Sequence, residues 1–287
     1  MRILLAGHKG QLGQALLPRL EAEEHTVMGI DLPEYDITDR DAMFQLTKEV
    51  APDLIINSAA MTNVDGCARD PDAAYRVNGM GTQNLVLAAT AVDAALMYIS
   101  TNEVFDGMTT MPYHEWSRRA PINAYGRSKL AGEWYTQNLM TRFYIVRTAW
   151  LYAVSGRNFP HRIIELADER GRLRVVTDEV ANPTYVADLA TAIAQLITTH
   201  AYGAYHLVNA GFASRYEFAQ ALLRHSGRQD VPIEAITSDA FERASTPPPY
   251  APLANNAAAA LGITLRPWEE AAAEFVAAAG YSVDRSH

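Results

Sequence analysis

The chain has 287 residues, a formal net charge of −9, 49% hydrophobic residues and 20% charged residues, the proportions of a folded globular protein. No dense Lys/Arg run occurs, so no nucleic-acid or anionic-membrane partner is expected, although helix N-termini still allow an acidic chain to bind phosphates. The single cysteine, Cys67, excludes an internal disulfide, the N-terminus is too short in apolar residues for a signal peptide, and no apolar run reaches the roughly 18 residues of a membrane span; a cytoplasmic enzyme is expected.

In chain order, short apolar runs at 2–6, 26–30, 54–57, 96–100 and 143–148 read as strands. Helical patterns near 11–23, 39–50, 79–92 and 123–138 lie between them. Strand–helix alternation with nearly continuous apolar strands predicts an α/β fold, a doubly wound parallel sheet of Rossmann type whose ligands bind at the carboxyl ends of the strands. Further on, 173–176 and 204–208 read as strands and 185–197 as a helix. Ser214 and Glu217 have the spacing of a capping box, Pro247-Pro248-Pro249 marks a loop or an edge, and an alanine-rich helix is expected near 268–279. The expected division is a dinucleotide-binding domain over 1–150, joined by segments returning near 173–208. Residues 151–287 would form mostly an interleaved substrate-binding lobe.

The loop Gly7-His8-Lys9-Gly10-Gln11-Leu12-Gly13 follows the first strand and opens the first helix, with the spacing G-x-x-G-x-x-G. Glycine lets the chain turn tightly, approach a pyrophosphate and pack helix on strand, and the helix N-terminus presents free N–H groups. Asp31 ends the second strand, where a carboxylate accepts hydrogen bonds from an adenosine ribose and favours NADH; Lys9 offers a counter-charge to the extra phosphate of NADPH. The alternative is that Asp31 caps a turn before Pro33. Either NADPH or NADH therefore fits.

Tyr125-Gly126-Arg127-Ser128-Lys129 lies in the fourth helical pattern, which puts Tyr125 and Lys129 on one helix face. A neighbouring ammonium is expected to lower the phenol pKa from its ordinary value of about 10. Carbonyl reduction needs a hydride from a nicotinamide and a proton donor at the oxygen. Thr101, ending the strand at 96–100, has a hydroxyl with which to orient that oxygen. No metal is expected, because the eight histidines show no i/i+4 spacing and there is no cysteine cluster.

Further motifs are Asp36-Ile37-Thr38-Asp39, Asn57-Ser58-Ala59-Ala60-Met61-Thr62-Asn63-Val64-Asp65, Val77-Asn78, Ser100-Thr101, Val104-Phe105-Asp106-Gly107, Gly132-Glu133, Arg147-Thr148-Ala149-Trp150, Asn158-Phe159 and Pro183-Thr184. Taken in this order with the glycine loop and the Tyr/Lys pair, they resemble the extended short-chain dehydrogenases, and within them the dTDP-4-dehydrorhamnose reductase branch. The resemblance implies reduction of a 4-keto group on a nucleotide-activated 6-deoxysugar. It assigns Gly7, Gly10, Gln11, Leu12 and Gly13 to the pyrophosphate, Asp36 and Ile37 to the adenine, and Ala59, Ala60, Thr62, Asn78 and Ser100 to the remaining cofactor wall. Tyr125 would be the proton donor, Lys129 would hold the nicotinamide ribose, and Thr101 would complete the triad. Asn102, Glu103, Trp150 and Asn158 fall on the substrate side, with a core aromatic as the alternative for Trp150 and a turn residue for Asn158. A homodimer through exposed helices is compatible with this fold.

Three departures stand out. Where the family pattern reads Ser-Thr-Asp-Tyr-Val-Phe, this chain has Asn102 and Glu103 at the third and fourth places. A carboxylate at Glu103 would repel a sugar nucleotide unless it turns away or meets a cation. Before the last helix the family commonly has an Arg-Pro pair, whereas here 245–249 read Ser-Thr-Pro-Pro-Pro, so one phosphate contact is expected to be missing. These departures keep open a different ketosugar nucleotide or a small carbonyl substrate. A cofactor-binding regulatory subunit without catalysis is a third reading, against which the Tyr125/Lys129 pair stands.

Overall fold

A computed structural model describes residues 1–240 and 243–282. The first half runs β1 (Arg2–Ala6), α1 (Gln11–Ala22), β2 (Thr26–Ile30), α2 (Arg40–Val50), β3 (Leu54–Asn57), α3 (Val64–Arg69), α4 (Pro71–Ala74), a π-helical turn (Tyr75–Gly81), α5 (Thr82–Ala91), β4 (Ala95–Thr101), α6 (Ala124–Leu139) and β5 (Phe143–Thr148). After it come β6 (Leu151–Tyr152), α7 (Phe159–Arg170), β7 (Leu173–Val176), β8 (Val180–Ala181), β9 (Thr184–Tyr185), α8 (Val186–Thr198) and β10 (Gly203–His206). The chain ends with β11 (Ala213–Ser214), α9 (Arg215–His225), β12 (Ile233–Ile236), α10 (Asn256–Ala260) and α11 (Trp268–Ala278).

Six parallel strands form the central sheet in the order β10-β5-β4-β3-β1-β2. Alternate residues feed opposite faces. Ile3, Leu5, Leu54, Ile56, Met97 and Val146 pack with α1 and α8, while Leu4, Ile55, Leu96 and Ile145 pack with α2 and α5. Both faces are covered, so the strands read as unbroken apolar runs. A separate aromatic cluster, with Tyr152, Tyr185, Phe218, Trp268 and Phe275, joins α7, α9 and α11 into the smaller lobe.

Of the segments expected to return near 173–208, α8 packs on α1 and β10 extends the main sheet beside β5. β7 does not return; it pairs with β12 in a two-stranded sheet of its own. Helix α7 escapes the sequence pattern because Pro160 reads as a break, yet proline is well tolerated in a first helical turn. The helix expected from residue 79 instead begins as the π-helical turn, which carries Asn78. The capping box forms as expected, with the Ser214 hydroxyl accepting from the Glu217 N–H and the Glu217 carboxylate accepting from the Ser214 N–H. Among the described residues no helix is long and apolar enough to cross a membrane, and no group of three His, Cys, Asp or Glu side chains is placed to hold a metal.

One buried polar network locks α6 to the sheet. The carboxylate of Glu133 accepts hydrogen bonds from Arg147 Nε and Nη2 at 2.8 Å each, from Ser100 Oγ at 2.6 Å and from Arg119 Nη1 at 2.9 Å. Burial pushes this carboxyl up, but the Arg147 guanidinium and the other donors outweigh it and hold it below the ordinary carboxylate value. Its contribution to stability is therefore present above about pH 4.3 and is lost as pH falls through the lowered value. His206 lies beside Arg147 and, pushed down to about 3 by burial and by that guanidinium, remains neutral at physiological pH. Replacing Arg147 by Met leaves Glu133 buried without its two-point partner. Urea denaturation should then show a loss of about 3–5 kcal/mol; a loss under about 1 kcal/mol would contradict this view of the network.

Candidate functional site

The glycine loop closes on the end of β3. Gly7 has φ +82°, and a Cβ there would lie 2.6 Å from the Ala59 nitrogen; a Cβ on Gly13 would lie 2.2 Å from the Gly7 carbonyl oxygen. Neither position has room for a side chain. Helix α1 begins at Gln11 with no side-chain cap and no acidic residue in its first turn. Its leading N–H groups and positive dipole end are therefore left for an anion. At the end of β2, Asp31 accepts from the backbone N–H groups of Lys9 and Leu32, both at 2.9 Å, so the turn-capping reading describes its local role. The Lys9 ammonium is committed to the Leu32 carbonyl and to Glu34 at 2.8 Å. Exposed pairs of this kind are weak and screened by solvent, so a phosphate can displace Glu34.

The residues selected from the sequence, except Asn78, line one cavity of about 920 Å³. It runs from the glycine loop, past Asp36, Ile37, Ala59, Ala60 and Thr62, to Thr101, Tyr125 and Lys129, and on to Asn102, Glu103, Trp150 and Asn158. Asn78 stands behind the wall. Its side chain accepts from the Met61 N–H at 2.8 Å and donates to the Met61 carbonyl at 3.0 Å and to Ser128 Oγ at 2.9 Å, clamping the loop after β3 to α6. Ser100 lines the cavity, but its hydroxyl is spent on Glu133.

Thr101 is the last residue of β4, paired in register with Thr148 of β5. Asn123 caps α6 through the Gly126 N–H at 2.8 Å. Gly126 fits directly against the Glu103 carbonyl, where a Cβ would come within 2.0 Å. This close approach seats the first turn of α6 on the strand end, so Tyr125 faces Thr101 and Lys129 lines the same cavity. Lys129 is buried, with its Nζ 4.3 Å from the centre of the Tyr98 ring. Burial pulls its pKa down to about 7, against the opposing charge of Glu133. The Tyr125 phenol is pushed up, first by burial and then by Glu103, while the Thr101 hydroxyl favours its ionised form. This corrects the sequence expectation of a lowered phenol pKa: the ammonium sits over Tyr98 and is itself desolvated. Tyr125 thus keeps its proton at neutral pH.

The substrate side differs most from expectation. Asn102 is buried, accepts from the Thr101 hydroxyl at 3.2 Å and donates to the Ala251 carbonyl at 3.2 Å, tying the strand end to the C-terminal loop. Glu103 accepts from Asn123 Nδ2 at 2.6 Å, and burial pushes its carboxyl up. It also lies in the field of a cation that the sequence pattern did not point to. Arg215, at the start of α9, lines the cavity and stacks on Trp150 with its guanidinium carbon 3.6 Å from the ring centre. The capping box placed Arg215 in a first helical turn, but no local signal tied it to the cavity. Trp150 takes the left-handed φ of 43° and lines the cavity rather than being a fully buried core aromatic. Asn158 is a capping residue whose amide donates to the Ala153 carbonyl at 2.7 Å and whose oxygen accepts from the His161 N–H.

The C-terminal expectation needs a correction too. An Arg-Pro pair, Arg266-Pro267, does stand directly before α11, but its guanidinium is bound by Asp188 and Glu274. The Pro247–Pro249 run packs on Gly107, and the Pro249 carbonyl accepts from the Val180 N–H at 2.8 Å.

The family described as the RmlD substrate binding domain matches residues 1–280. The chain belongs to this family. A dTDP-4-dehydrorhamnose reductase of Mycolicibacterium smegmatis is 37% identical over 96% of this chain and 85% of its own length. The spore coat polysaccharide biosynthesis protein SpsK of Bacillus subtilis is 35% identical over 96% of both chains. The crystal structure of dTDP-4-dehydrorhamnose reductase from Bacillus anthracis in complex with NADP superposes with a TM-score of 0.93, at 38% identity, over 96% of this chain and 99% of that one.

A side chain at Gly13 must push the loop away from α1. Gly13→Ala is expected to weaken NADPH binding at least about tenfold, equivalent to about 1.4 kcal/mol, measured by quenching of protein fluorescence. Unchanged affinity would contradict the packing argument.

Proposed function

We propose that this protein reduces the 4-keto group of a nucleotide-activated 6-deoxysugar, dTDP-4-dehydrorhamnose, with NADPH or NADH. The observation that carries this reading is the single cavity joining an uncapped helix N-terminus behind a glycine loop to Thr101, Tyr125 and Lys129. The cradle fits a dinucleotide: free N–H groups meet its pyrophosphate, and the clamped loop at Ala59, Ala60 and Thr62 forms its wall. A reduced nicotinamide bound there supplies the hydride. Thr101 orients the substrate carbonyl, and Tyr125 donates the proton to its oxygen. Lys129 holds the nicotinamide ribose, and binding that restores its positive charge lowers the cost of the phenolate left on Tyr125. Because burial keeps Tyr125 protonated, the donor form is present through neutral pH. Trp150 and the lobe formed mostly from residue 151 onward supply the sugar-nucleotide side.

Glu103 favours a second reading, another ketosugar nucleotide. Its carboxyl lines the cavity where the family pattern has a tyrosine. Glu103→Tyr is expected to raise kcat/KM for dTDP-4-dehydrorhamnose severalfold if that reading holds, and to lower it if the wild-type site is already matched.

Cofactor oxidation with dTDP-4-dehydrorhamnose should be readily measured for the wild type. It should fall by about 10²- to 10⁴-fold in kcat for Tyr125→Phe, the usual contribution of a positioned proton donor. NADPH affinity should stay within about twofold. Full activity in the variant would contradict the assignment.

A further inference from the structure

We propose that Arg215 receives the sugar-linked phosphate of the nucleotide substrate. The proposal rests on the ketosugar-nucleotide reading above and names a specificity contact within the same site.

Four cationic side chains line the cavity: Lys9, Arg157, Lys129 and Arg215. Lys9 is held by Glu34 beside the glycine loop, and Arg157 lies at the same end, where its carbonyl accepts from Gln11. Lys129 is buried in the triad over Tyr98. Arg215 is the cation of the opposite end. Its guanidinium stacks on Trp150 at 3.6 Å and faces Phe159 at 4.9 Å. Stacking fixes the guanidinium plane while its N–H edge stays available for an oxygen acceptor in that plane. A fork of this kind matches a phosphate with two parallel hydrogen bonds.

The charge around it is incompletely balanced. Glu179 reaches Arg215 Nε only at 3.8 Å, and its other oxygen is hydrogen-bonded by Arg243. Glu179 thus divides between two guanidinium groups. The remaining acid, Glu103, is inclined to its neutral form by burial and is hydrogen-bonded to Asn123. An arriving phosphate completes this cluster. The C-terminal loop offers no substitute, because 247–249 are prolines and Arg266 is held by Asp188 and Glu274.

Position selects the sugar-linked phosphate over the nucleoside-linked one. Arg215 stacks on Trp150, which follows two residues after Thr148, the partner in register of Thr101. Arg215 therefore stands at the strand ends beside the reacting centre, on the sugar side.

Calorimetric titration of dTDP and dTMP into the protein saturated with NADP tests this directly, using wild type, Arg215→Gln and Arg215→Lys. Arg215→Gln should weaken dTDP at least tenfold and leave dTMP and NADPH within about threefold; Arg215→Lys should recover part of the loss. Equal losses for dTDP and dTMP, an unchanged dTDP affinity, no dTDP binding by the wild type, or a loss that extends to NADPH would each overturn the proposal. The two readings fail separately. Arg215-dependent dTDP binding without turnover of any ketosugar contradicts the proposed function alone, and turnover with Arg215-independent binding contradicts this proposal alone.

Discussion

The buried carboxylate of Glu133 is the constraint on which the site's geometry depends. It projects from α6, the helix carrying Tyr125 and Lys129, and takes hydrogen bonds from Ser100 on β4 and Arg147 on β5. The tyrosine face of α6 is thereby held at a fixed height above the strand that ends in Thr101. Gly126 permits the close approach, and the network prevents the helix from sliding along it. A buried ion pair of this kind adds little net stability compared with a well-packed apolar cluster, but it is costly to break and selects one register. The same carboxylate raises the pKa of Lys129 against its burial, so the group that anchors the helix also favours the ammonium.

The cofactor half of the cavity is assembled from short consecutive stretches. The glycine loop, the Ala59–Thr62 turn and the Tyr125/Lys129 pair each announce themselves through local spacing, and the five strands of the first half lie within a residue of where their apolar runs put them. Local chemistry and local sequence coincide there. What is not legible depends on contacts between distant segments. Asn78 looks like a cofactor contact, but it reaches backward to Met61 and Ser128, which only the folded chain reveals. The phenol's pKa depends on how deeply α6 is buried and on where the ammonium points. Neither follows from an i, i+4 spacing.

The substrate half is built from Glu103, Trp150 and Arg215, which come from a strand end, a turn after β5 and the start of α9. Glu103 alone reads as a misplaced negative charge. Hydrogen-bonded by Asn123 and in the field of Arg215, it becomes one member of a mixed-charge cluster. The departure at 103 is thus answered from another helix, since the carboxyl of Glu103 lies in the field of Arg215. Under the proposed assignments, reductive chemistry and sugar recognition fall to separable parts of one cavity: Thr101, Tyr125 and Lys129 at the carbonyl, and the cluster around Arg215 at the sugar nucleotide.

The most direct test of this account is a crystal structure of the ternary complex with NADP and dTDP-rhamnose. The account predicts the sugar O4 within about 2.6–3.2 Å of the Tyr125 hydroxyl, with the nicotinamide on the opposite side of C4 and Lys129 at its ribose. A sugar bound away from Tyr125, or a dinucleotide that does not run along the glycine loop, would contradict it.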